Sequence, residues 1–137
     1  MTTAQPITHL NPPSLPDASA FGHSQVTIMQ PGTLAFISGQ VAWQPGGRPV
    51  PSDLAEQAVL VRDNARAALA AAGVAPAHLV MVRVYVVELT PERLQRVMPV
   101  LLDLLDGARP SLTGIGVAAL AGPDLQLEIE MIARVPD

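Results

Sequence analysis

The chain is 137 residues long, 49% hydrophobic and only 15% charged, with a formal net charge of -4 and a pI near 5.2. That length accommodates one domain; all eight basic residues are Arg, and Lys and Cys are both absent. These absences exclude Schiff-base chemistry on an internal lysine, thiol nucleophiles, disulfides and thiolate metal sites, and without a basic run or an aromatic stripe no nucleic acid is expected as a partner.

A mean hydropathy of +0.33 is high for so few charges. It implies apolar surface reserved for another subunit, and hence a homo-oligomer. No basic and then apolar leader opens the sequence, and Arg83 and Glu88 interrupt its longest apolar run. Neither a signal peptide nor a membrane partner is expected, and the absence of Cys is compatible with a cytoplasmic setting.

Residues 1–21, with Pro6, Pro12, Pro13 and Pro16, read as an extended N-terminal segment, and residues 22–137 as the domain proper. Ser24–Met29 and Thr33–Ser38 flank a Pro31-Gly32 turn and are predicted to form a hairpin. A Pro- and Gly-rich loop covers Trp43–Pro51. Ser52 is the expected N-cap of a helix in which Leu54, Ala58, Val61, Ala65, Leu69 and Ala72 recur at spacings of three and four, ending at Gly73 and Pro76.

Leu79–Leu89, β-branched on both faces, is predicted as an interior strand covered on each side. Thr90-Pro91 opens a second helix that carries Leu94, Val97, Met98, Leu101, Leu102 and Leu105, and Pro99 should kink or divide it. Leu112–Leu120 and Leu125–Val135 complete the chain as strands. The order β-β-α-β-α-β-β belongs to the α+β class, with two helices on one face of a single mixed sheet.

The last strand is the most informative. Strict alternation puts Leu125, Leu127, Ile129 and Met131 on one face and Gln126, Glu128 and Glu130 on the other, with same-face neighbours roughly 7 Å apart. The carboxylate wall either meets water or lines a site. Arg83 and Tyr85 share a strand face from which they can reach Glu128 or Glu130. Three scattered histidines make no metal set, and no nucleophilic triad can be assembled.

Ser38-Gly39-Gln40, Glu56-Gln57, Asn64, Ala71-Ala72-Gly73, Pro110 before a Gly-rich strand running Ile115-Gly116-Val117-Ala118-Ala119-Leu120, and Leu127-Glu128-Ile129-Glu130 occur in an order that resembles the Rid family of reactive-intermediate deaminases, also called the YjgF family. The resemblance spans Gly22 to the C-terminus. It implies a chorismate-mutase-like subunit in a homotrimer, a trimeric barrel with pockets between neighbours, and hydrolysis of 2-imino acids or enamines to 2-keto acids and ammonia without cofactor or metal. Its small-molecule ligand is then an imine or related carbonyl compound.

Carried over by position, Glu128 takes the role of the water-handling catalytic Glu. The family's substrate-binding Arg falls on Leu112 when the strand is aligned on Pro110 and Val117-Ala118-Ala119-Leu120, which removes a charge-assisted anchor of about 1.5 to 3 kcal/mol for an anionic substrate. The aromatic hydroxyl found in many members is replaced around His23 and Ser24, and an Asn of the second helix aligns with Met98. Leu112, Gly114, Arg109, His23 and Ser38 are accordingly the candidate substrate-binding residues, with backbone N–H groups near Gly114 or Gly116 available to a developing charge. Arg109 reads either as a loop residue or as an anion contact, His23 as an exposed side chain or an acid-base group, and Ser38 as a strand-end satisfier or a ligand contact. The alternative to a cofactor-free imine hydrolase is a non-catalytic metabolite-binding or protein-interaction trimer.

Overall fold

The computed structural model describes residues 5–137; residues 1–4, the start of the segment expected to be extended, lie outside the described residues. The elements are β1 (Ile7–Leu10), β2 (Val26–Met29), β3 (Leu34–Gln40), α1 (Leu54–Ala71), β4 (Leu79–Val87), α2 (Pro91–Leu105), β5 (Ser111–Val117) and β6 (Leu127–Arg134). Short 3-10 turns occupy Ser19–Phe21 and Pro76–His78. From β2 onward the order is the predicted one.

Both helices begin on a side-chain cap. Asp53, not Ser52, caps α1: its carboxylate accepts the Glu56 N–H at 3.0 Å, while the Ser52 carbonyl accepts from the Gln126 amide at 2.7 Å. The buried stripe Leu54, Gln57, Ala58, Val61, Ala65 and Leu69 follows the helical period. Thr90 caps α2 by accepting the Arg93 N–H at 3.2 Å, with Pro91 in the first turn. Pro99 does not divide the helix, which runs as one element to Leu105. Pro99 and Gln95 are both exposed, so the carbonyl left without a partner one turn before the proline is on the open flank, while Val97, Leu101, Leu104 and Leu105 bury the other.

The sheet order is β3-β6-β4-β5, with β4 and β5 parallel and the other pairs antiparallel. Val82, Val84 and Val86 from β4 and Leu127, Ile129 and Met131 from β6 meet the two helices in one core. Strand β4 is interior, but only that face is fully covered; Met81, Arg83, Tyr85 and Val87 are half-buried on the other. The period-2 pattern therefore wins over the uniformly β-branched composition.

The first strands differ from expectation. β2 pairs with β1 in a separate two-stranded ribbon rather than with β3, and among the described residues regular structure starts at Ile7, inside the segment read as extended. The Gln30 N–H continues the β1–β2 ladder to the Pro6 carbonyl at 2.8 Å, and the buried Arg134 guanidinium takes the Gln30 and Pro31 carbonyls at 3.0 and 2.9 Å, which holds the chain between β2 and β3 against the end of β6. A Ser24–Ser111 bridge and the Thr27–Ser111 hydroxyl pair at 2.8 Å fasten the ribbon to the start of β5.

Gln57, fully buried in α1, holds the loop before β6 in place. Its amide nitrogen donates to the Pro51 and Asp124 carbonyls at 2.8 and 2.7 Å, and its oxygen accepts the Gln126 N–H at 2.9 Å. Truncation to Ala leaves those groups without internal partners, each at a cost of about 1 to 3 kcal/mol. Gln57→Ala is expected to lower the unfolding free energy by about 3 kcal/mol, seen as a lower urea midpoint at unchanged denaturant slope.

Candidate functional site

The two carboxylates of β6 have separate fates. In the ladder with β4, Glu130 lies opposite Arg83 and Glu128 opposite Tyr85. The Glu130 Oε1 accepts the Tyr85 hydroxyl at 2.6 Å and Arg83 Nη1 at 3.2 Å. Glu130 is a half-buried acid tied to two partners by charge-assisted bonds. Glu128 enters no ion pair and accepts no side-chain hydrogen bond among the described residues.

Glu128 is placed by a glycine. Strand β3 shifts register between Ile37 and Gln40, and Gly39 in that irregularity passes directly under the acid. A Cβ at Gly39 would lie 2.7 Å from Glu128 Cγ and overlap the carboxyl group itself. The glycine of Ser38-Gly39-Gln40 thus makes room for the carboxylate.

Around Glu128 is a cleft of about 190 Å³ lined by Gly39, Gln40, Val41, Trp43 and Asn64 among others. Asn64, one face of α1, donates both amide hydrogens, to the Val41 carbonyl at 2.8 Å and the Trp43 carbonyl at 2.7 Å. It pins the chain leaving β3 and so sets the cleft's far wall. Trp43 was legible only as the start of a loop, and its place beside Glu128 depends on the distant Asn64 contact.

The remaining sequence candidates fall elsewhere. Ser38 is exposed and lines a neighbouring shallow cleft of about 200 Å³ with Phe36, Arg83 and Glu130. Leu112 pairs with Val82 and Gly114 with Val84, which puts both on the helix-covered side of the sheet; Leu112 packs against the core, and Gly114 is exposed. Within one chain they face away from Glu128. Arg109 is exposed beside a hollow bordered by Gly22, Leu102 and Gly107. It adds a small share to the lowered pKa of Asp17, which comes first from the Ser19 hydroxyl and amide.

His23 is half-buried, and its Nδ1 is enclosed without a partner among the described residues, as is the Oγ of the adjacent buried Ser24. The Ser24 N–H donates to the Pro110 carbonyl at 3.1 Å. The structure therefore gathers His23, Ser24, Arg109 and Leu112 around the start of β5 and sets Glu128 and Ser38 on the opposite face. No group of three or more potential metal ligands occurs among the described residues.

The bond to Glu130 raises the pKa of Tyr85, with desolvation adding to it. A raised phenol pKa stabilises the fold below the ordinary phenol value, and that contribution fades as pH climbs through the folded-state value. Tyr85 is the only tyrosine in the chain. An ultraviolet pH titration is expected to give a midpoint above the usual phenol value, moving down toward it in Glu130→Gln.

Residues 16–135 match the family model described as Endoribonuclease L-PSP. The RutC family protein YjgH of Escherichia coli K12 is 35% identical over 117 residues, covering 84% of this chain and 86% of YjgH. TdcF of the same organism, whose name describes it as a candidate reactive intermediate deaminase, is 30% identical over 103 residues, covering 74% of this chain and 79% of TdcF. The solved structure of YyfB from Yersinia pestis, a Rid family protein of unknown function, superposes with a TM-score of 0.89 at 34% identity, covering 96% of this chain and 100% of that one. With a chorismate-mutase-like α+β architecture and these matches along nearly its whole length, the chain belongs to the endoribonuclease L-PSP family, the family of the Rid and YjgF proteins.

Proposed function

We propose that the protein is a cofactor-free hydrolase of small imines or enamines, working as a homotrimer with its pockets between neighbouring copies. The observation that carries this reading is the unpaired Glu128 carboxylate, held over Gly39 in a cleft while Glu130 is committed to Arg83 and Tyr85. In the reaction, Glu128 takes a proton from water as the water oxygen attacks the imine carbon. The C=N pair moves to nitrogen, the nitrogen gains protons, and ammonia leaves as the carbonyl forms, so that imine plus water gives carbonyl plus ammonia.

A second copy fits the placement of the other candidates. Leu112 and Gly114 lie on the sheet face opposite Glu128, so a pocket that contains all three draws them from two chains. Apolar surface is available for such contact: Phe36 is 73% exposed and Ile28 51%. Gly114 and Gly116 lie on β5, the edge of the sheet; the missing side chain leaves the backbone approachable at Gly114, whereas Leu89 fills that space at Gly116. His23, Arg109 and Ser38 are assigned to the rims of this pocket.

Leu112 supplies no partner for a carboxylate, so the preferred substrates are imines or enamines without one. TdcF's name points to the same reaction class. Cleavage of RNA is disfavoured by a chain without Lys in which Arg62, Arg66, Arg83, Arg93, Arg96 and Arg134 are all bonded to carboxylates, side-chain amides or carbonyls. A cytoplasmic setting, where other enzymes release such imines, suits this role. Among the described residues no helix is long and apolar enough to cross a membrane.

Ammonia release from freshly generated imines tests the proposal. Carboxylate-free imines are expected to be hydrolysed faster than 2-iminopropionate, and Leu112→Arg to reverse that preference. Glu128→Gln should lower the rate by about 100-fold, and Gly39→Ala, which intrudes on the same carboxyl group, should do so comparably. Wild-type protein that binds carbonyl metabolites but releases no ammonia from any imine would instead identify a non-catalytic binding trimer.

A further inference from the structure

The polar groups around Glu128 are unequal in kind. Asn64 uses both amide hydrogens on the Val41 and Trp43 carbonyls, which leaves its oxygen as the free group. Gln40 turns its amide nitrogen to the Ser38 carbonyl at 2.9 Å. Six of the eight Arg side chains are bonded elsewhere, and neither Arg48 nor Arg109 lines the cleft. Within one chain, the cleft thus combines a carboxylate without a partner and a free amide oxygen with no guanidinium, ammonium or imidazole in its lining; His23 and Arg109 are assigned only to the rim that another copy supplies.

The remaining wall is aromatic. Trp43, the only Trp in the chain, is 56% exposed at the same cleft although its backbone carbonyl is tied to α1. An exposed indole beside an unpaired carboxylate is the pairing that attracts organic cations, through the ring quadrupole on one side and a charge-assisted hydrogen bond on the other. The volume of about 190 Å³ is below the ~300 Å³ at which drug-sized pockets begin. It suits a head group, not an extended molecule.

We propose that the Glu128–Trp43–Asn64 cleft is a receptor for a small organic cation, an iminium or primary ammonium group. The cationic nitrogen donates to the Glu128 carboxylate and the Asn64 oxygen and lies against the Trp43 ring. This rests on the reading of Glu128 as the acid of the reaction cleft and names the charge state of its substrate: the imine binds protonated, the form in which its carbon is most open to attack by water. A neutral carbonyl product loses the attraction and leaves.

Trp43 provides its own readout. Fluorescence titration of the intact protein with propylammonium chloride, sodium propionate and 1-propanol, at fixed ionic strength, is expected to give saturable quenching with propylammonium alone. Glu128→Gln should weaken that binding about tenfold or more, and Trp43→Phe should weaken it severalfold by calorimetry with folding intact. Propionate binding as tightly as propylammonium, or propylammonium affinity unchanged in Glu128→Gln, would overturn the proposal. Imine hydrolysis that propylammonium does not inhibit would sink the cation site and leave the hydrolase standing, whereas saturable cation binding without any turnover would support the site and remove the hydrolase.

Discussion

Burial of Leu127, Ile129 and Met131 beneath α1 and α2 is the constraint on which the rest of the molecule depends. It fixes the register of β6 against β4, because a slip of one residue would turn three apolar side chains out of the core and two carboxylates into it. With the register fixed, Glu130 falls opposite Arg83 and Glu128 opposite Tyr85. The same packing energy that holds the sheet to the helices therefore decides which acid is tied and which is free. Tyr85 leans along the sheet to the acid diagonal to it, Glu130, and so does not compete for Glu128.

The chain solves its polar problems with forks and amides. Arg134 closes the turn before β3 by taking two carbonyls, Arg93 joins the end of β4 to the Gln126 side chain, and Gln57 and Gln126 link the α1 entrance to the β6 entrance. Planar guanidinium and primary amide groups suit these positions because each satisfies two or more acceptors from a fixed geometry. Lysine could replace few of them. The consequence reaches the site, since guanidinium groups committed to structure are not available to receive an anion.

Patterns of local period were readable directly. The stripe from Leu54 to Leu69, the Thr90-Pro91 start and the alternation of Leu127–Met131 each follow from one element's own geometry. What escaped sequence reasoning depends on distant partners. The Pro31-Gly32 turn looked like a hairpin turn until Arg134, more than a hundred residues away, claimed its carbonyls. Ser52 and Asp53 are both good caps by type, and the Asp53 carboxylate that takes the Glu56 N–H is also held by Arg96 of α2, a partner the local sequence does not show. Trp43 joined the site through Asn64, a helical polar residue whose value lay in two carbonyls it could not announce.

Opposite placement on the sheet constrains the chemistry further. A side chain at 112 points toward the helices and one at 128 away from them, as the pairings with Val82 and Tyr85 require. Separation by a sheet thickness is of no use to a single active chain, since a reacting group must approach its partner to about 3 Å. Two copies remove the obstacle, because a contact between the face of one and the edge of the next can bring β5 of one chain to β6 of another. On the proposed reading assembly becomes part of catalysis, and a substitution that weakens only the contact between copies should cost activity as surely as loss of the acid itself.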